Sequence, residues 1–187
     1  GPKVLNRGSA GDDARMLAAL TDVAIVRHEV LPPDWGAASI LQRVATAEPP
    51  LHALIDSGAL VSGFTNEQAA RCLLSSGLRQ MDACIFLGGG GQKLVLLRDG
   101  WKVLRLERCG VPEHRRFVFF DHVHTMGTDI PQQPHARAAL TLSKDLTFRD
   151  VAQGAYRMRA IGRGQTVRLL VPPEVQRHLR ETAALGL

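Results

Sequence analysis

An α/β fold, with a mostly parallel sheet covered by helices on both faces, is the architecture this sequence predicts. Three observations support it. Short apolar runs without polar alternation, such as Ala83 to Leu87 and Phe117-Val118-Phe119-Phe120, suit strands buried on both sides. These runs take turns along the chain with segments of helical period, the order expected of helices crossing over a parallel sheet. Cap and stop residues separate the two kinds of segment at most junctions.

Taken in order, the first 47 residues read as helical. Gly11 to Val26 places Met16, Leu17, Leu20, Val23 and Ile25 behind the acidic pair Asp12-Asp13, which suits a helix N-terminus. Pro32-Pro33 breaks that helix, and a second runs from about Trp35 to Ala45 before Pro49-Pro50. Residues 1–47 are therefore expected to form a helical appendage on a main domain of residues 48–187. Within Leu51 to Val61 a buried strand should end in a loop around Asp56-Ser57-Gly58. Thr65 or Asn66 caps a helix that Gly77 stops. Ala83 to Leu87, Lys93 to Leu97 and Trp101 to Leu106 read as strands, the last two joined as a hairpin by the Asp-Gly turn of "RDGW". Phe117 to Phe120 should be central, and Ala138 to Leu142 is a further strand. Thr147 caps a helix to about Ile161, Thr166 to Val171 returns as a strand, and Pro172-Pro173 opens a last helix ending near Leu185.

Composition narrows the function classes. With 187 residues and 45% apolar content the chain can bury a full core. No apolar stretch approaches the roughly 20 residues a spanning helix needs, and the start lacks a secretory pattern, so a cytoplasmic or nuclear setting is expected. The opening Gly1-Pro2 reads as the scar of a cleaved tag, and the chain as a piece of something longer. Cys72, Cys84 and Cys109 fit neither a zinc pattern nor a disulfide framework, so no metal site is expected. The net charge of +5 concentrates between Arg137 and Arg180, where eight Arg and one Lys face three carboxylates. Such a cluster suits phosphate or nucleic acid, but one Tyr and two Trp leave few platforms for stacking bases.

Two stretches carry chemistry. "FVFFDHVH" has four apolar residues followed by Asp-x-x-His, the outline of a Walker B box, in which the Asp holds Mg²⁺ and the next residue, a Glu, orients water. Here that position is His122. "GGGG" at Gly88 to Gly91 is not a phosphate loop, because Lys93 is followed by Leu94 and a strand rather than by Ser or Thr at a helix start. Further on, "MGTDI" at Met126 to Ile130 precedes "QGAYRMRAIGRGQ" at Gln153 to Gln165. On a helix, Gln153 and Arg157 share a face, with Arg159 a little around it and Arg163 in the turn beyond. Guanidinium groups over a Gly-Thr-Asp loop suit a developing phosphoryl charge.

This combination, over roughly residues 51–172, resembles the second RecA-like lobe of superfamily 2 helicases and SecA-type translocation ATPases. "GTDI" looks like motif V, "QGAYRMRAIGRGQ" like motif VI, and "ACIFLGG" lies where the motif IV strand would fall. "LIDSGALV" and the run from Phe119 to Val175 are similar to a very large eukaryotic family of unknown function, often catalogued as ubiquitin-hydrolase-like. Asp121, His124, Gly127, Thr128, Asp129, Gln153, Arg157, Arg159, Gly162 and Gln165 match that family's pattern, and His122 departs from its Glu. The resemblance implies half of a composite ATP site. Arg157, Arg159 and Gln153 would act on the γ-phosphate, and Gly127, Thr128, Asp129 and Arg163 would contact the nucleotide. ATP and Mg²⁺ would enter only with a partner lobe from other domains of the parent protein, so the isolated chain should be inactive. The ubiquitin label implies an alternative, a thiol hydrolase using Cys84, or Cys109, with His124 and Asp121 or Asp129, whose partner would be ubiquitin. A third reading is a non-enzymatic interaction module with a decayed site.

Overall fold

The computed structural model describes residues 7–124 and 128–186. Its elements are α1 (Arg7–Thr21), β1 (Val26–Val30), α2 (Ala37–Ala45), β2 (Ala53–Ile55), α3 (Asn66–Ser76), β3 (Ala83–Leu87), β4 (Lys93–Leu97), β5 (Val103–Arg105), β6 (Arg116–Phe120), β7 (Arg137–Thr141), α4 (Phe148–Ala155), β8 (Thr166–Val171) and α5 (Pro173–Ala184). The strands form one eight-stranded sheet in the order β1-β8-β7-β2-β6-β3-β4-β5. Pairing is parallel from β1 to β3, and β4 and β5 continue it as an antiparallel hairpin. The α/β class and the mostly parallel sheet are as the apolar runs predict, with β6 central between β2 and β3.

Both faces are covered because every central strand is apolar at odd and even positions alike. Leu54, Cys84, Phe86, Phe117, Phe119 and Ala139 face one layer with α2 and α3. Their neighbours Ala53, Ile55, Ile85, Val118, Phe120 and Leu140 face the other, with α1, α4 and α5. Alternation of side chains along a strand makes one continuous apolar run serve two cores. Helix α3 shows the local logic. Thr65 accepts from the Gln68 amide, the Gln68 side chain accepts from the Thr65 amide, and Ala69, Ala70, Leu73 and Leu74 form the buried stripe. At its other end Arg98 donates to the carbonyls of Leu74, Gly77, Leu78 and Met81 at 2.7–3.0 Å, filling acceptors a helix end leaves open.

The N-terminal segment differs from the helical appendage expected of it. Helix α1 stops at Thr21, where the Thr21 hydroxyl bonds back to Leu17 and the Asp22 carboxylate accepts from the Ala24 amide. Val26–Val30 is then an edge strand in register with Val167–Val171 of β8. Ile40, Leu41 and Val44 of α2 are at most 1% exposed, so residues up to 47 complete the sheet and one core rather than sit on them. Among the described residues no helix is long and apolar enough to cross a membrane.

The central strand β2 has three residues, and a buried polar group stands at each end of it. His52 accepts from the Arg137 amide at 2.9 Å, which requires an unprotonated Nδ1. Asp56 is 1% exposed and accepts from the amides of Leu60 and Val61 and from the Thr141 hydroxyl at 2.7–3.0 Å. Burial, then the nearby Arg137 charge, pushes the His52 imidazole down to about 4. Between about pH 6.5 and 4 the unfolded chain therefore binds more protons at this site than the native one. The associated stability is complete above pH 6.5 and is lost as pH falls, by roughly 3 kcal/mol. Denaturant titrations at pH 7.5 and 4.5 should show that loss, and His52→Asn, which keeps an acceptor, should flatten it. Asp56→Ala should cost about 3 kcal/mol by the same measurement at neutral pH, because two amides and a hydroxyl are left without their acceptor.

Candidate functional site at the strand ends

The carboxyl ends of β2, β6 and β7 open on one edge of the sheet, the edge where open α/β folds place ligands. Strand β6 leads out through Asp121, which is buried and accepts from His124 Nδ1 at 2.9 Å. Past residues 125–127, the chain resumes at Thr128 and Asp129 before Ile130 returns to the core. The expected contact at Gly127 lies outside the described residues.

Arg157 secures this loop. Its guanidinium donates to the carbonyls of Thr128 at 2.8 Å and His124 at 3.0 Å, and lies 5.5 Å from the centre of the Phe120 ring. Burial, with Arg159 pushing the same way, lowers its affinity for the proton, while Asp121 and Asp129 oppose the shift. Arg159 is the freer of the two. It donates to the Asp129 carboxylate at 3.2 Å, and the two side chains are 59% and 65% exposed. Lys93, just past the glycine run, donates to the Asp129 carbonyl.

Neither arginine lies on a helix. Helix α4 begins with the expected Thr147 cap, reciprocated by Asp150, but ends at Ala155 rather than Ile161. Bonds from Arg157 to Gly154 and from Met158 to Ala155 then tighten the chain into successive turns. The turns are held by Gln165, 2% exposed, whose side chain accepts from the Ala160 amide and donates to the Gln133 carbonyl. Arg157 thus reaches the loop from a turn rather than by sharing a helical face with Gln153. Gly154 sets how closely α4 approaches β2, since a Cβ there would stand 2.3 Å from Ser57 Oγ.

Beside these groups is a cleft of about 260 Å³ lined by Ser57, Asp121, His122, Asp150, Gln153 and Arg157 over the apolar Ile55 and Phe120. Asp150 is committed to its cap, where bonds from the Thr147 backbone and hydroxyl hold its carboxyl below the usual range. The structure brings Asp121, His124, Thr128, Asp129, Gln153, Arg157 and Arg159 to one edge. Arg163 stands apart, donating to the Arg159 carbonyl and lining a different groove. Ser57 and Lys93 join the edge without having been marked by a motif; the glycine run before Lys93 was the signal available.

The thiol arrangement is not assembled. Cys84 is completely buried in the α2/α3 core, and burial pushes its thiol well up, away from the thiolate a nucleophile needs. It pairs with Phe117, three residues or about 10 Å before the end of β6, so it lies toward the amino end of its strand. Cys109 also lies toward that end, its carbonyl accepting from Arg116 at the start of β6. His124 and Asp121 do pair as expected, without a sulfur from either cysteine. Among the described residues no group of three or more His, Cys, Asp or Glu converges on a metal position. No protein-family model, curated protein or solved structure matches the chain.

Removing the Arg157 clamp should loosen one loop rather than unfold the domain. Hydrogen exchange at the amides of residues 128–130 should speed by about tenfold or more in Arg157→Ala, consistent with losing charge-assisted bonds worth about 1.5–3 kcal/mol each. Exchange in β3 should be unchanged.

Proposed function

We propose that this chain is the second RecA-like lobe of an ATPase module of the superfamily 2 helicase or SecA type, working with a partner lobe that holds the phosphates and Mg²⁺. One observation carries the reading: at the carboxyl ends of parallel strands, residues 121–124 and 128–130 meet the 156–165 turns with one arginine fixed and a second exposed. Their roles differ accordingly. Arg157 is a positioning residue, its donors spent on two carbonyls, while Arg159 is the arginine finger, held at rest by Asp129 alone among the described residues. Thr128 and Asp129 form the loop through which nucleotide state would reach the sheet. Gln153 faces the cleft. His122, exposed where a hydrolytic Glu would stand, leaves the orientation of water to another group.

A non-enzymatic interaction module is the competing reading, favoured by His122 and by the bracing of Arg157. ATP turnover separates the two. The 187-residue chain alone should show none. Joined to the phosphate-loop lobe of its parent protein it should turn over Mg·ATP, and Arg159→Ala should cut that rate by about a thousandfold. Turnover by the isolated chain that Arg157→Ala abolishes, or a two-lobe protein indifferent to Arg159→Ala, would overturn the assignment.

A further inference from the structure

We propose that a second site, the groove between α1 and the turns after α4, binds an acidic, partly apolar peptide segment of a partner protein. The groove encloses about 720 Å³, within the range of ligand pockets, and is separate from the cleft at the strand ends. Arg15 stands on its α1 wall, and Arg159 and Arg163 on the opposite one; all three are exposed. Its floor is apolar, with Met16, Ala19 and Ile161. Asp22 is the one carboxylate lining it among the described residues, and it is already occupied by the Ala24 amide.

The form of the positive charge selects the ligand. A compact phosphate is best held by free backbone amides or a helix N-terminus. Here the amides of Gly162, Arg163 and Gln165 are all spent on backbone carbonyls. The part of α1 along the groove, Arg15 to Ala19, lies in its C-terminal half, where the helix dipole disfavours a concentrated anion. Guanidinium forks on two opposite walls suit separate carboxylates spread along a chain, each taken bidentately, with apolar side chains between them on the floor. The described lining of the groove holds no lysine, so its positive charge is carried by guanidinium forks rather than by point charges.

Fluorescence anisotropy with a labelled octapeptide alternating Glu and Leu tests this on the 187-residue chain. Saturable binding is expected, weakened about tenfold by Arg15→Glu, weakened further by adding Arg163→Glu, and lost when Gln replaces Glu in the peptide. Arg15→Gln, milder at an exposed position, should weaken binding in the same direction, with thermal melts confirming that each variant folds. Absence of saturable binding to the unmodified chain, or binding indifferent to both Arg15 variants, overturns the proposal. So does tighter binding of an oligothymidylate of equal charge or of pyrophosphate. Arg159 and Arg163 also belong to the ATPase reading, but Arg15 does not, and peptide binding is measured without ATP; the Arg15 variants therefore let each proposal fail without the other.

Discussion

The sheet depends on how its shortest central strand is held. Strand β2 has three residues, yet it joins the β1-β8-β7 half to the β6-β3-β4-β5 half. Three residues supply few ladder bonds, and the chain on either side extends them: the His52 amide donates to Arg137, and the Asp56 amide to Phe120. Both flanking side chains are buried, and both are satisfied by β7, through the Arg137 amide and the Thr141 hydroxyl. A buried polar group without a partner is costly, so these two residues specify one register for β2 against β7.

The candidate site follows from that register. Asp56 holds the loop carrying Ser57, and Gly154 lets α4 lie close against Ser57, which brings the turns after α4 to the strand ends. From there two arginines two residues apart take different physical roles. Arg157 is drawn over Phe120 and gives its donors to carbonyls of the β6 loop, so its charge organises backbone. Arg159, exposed and weakly paired, keeps a charge that a ligand can still claim.

Much of this was legible because local signals and burial agreed. Thr65 with Gln68 marks the start of α3, and Gly77 its stop; the apolar runs of β3 and β6 need no tertiary information to be recognised as two-sided strands. Strand β1 was not legible. Its outward positions carry Arg27 and His28, and its hydrogen bonds come from β8, some 140 residues away, so only pairing distinguishes it from the end of a helix. The early stop of α4 was hidden for a similar reason: the bonds that end it are made by Gln165 and by the β6 loop, not by a stop residue in the helix itself.

By itself, then, the sequence determined the α/β class, the central place of β6, and Asp121, His124 and Asp129 with Arg157 and Arg159 as a candidate polar cluster. Periodicity, caps and composition are local properties, and local properties suffice for these. Tertiary structure alone decided that Cys84 faces a core and not the site, that Arg157 braces while Arg159 stays free, and that Arg15 meets Arg163 across a groove. Each of these depends on which face of a strand or turn meets which neighbour. That choice is made by pairing between segments far apart in the chain, which no short stretch encodes.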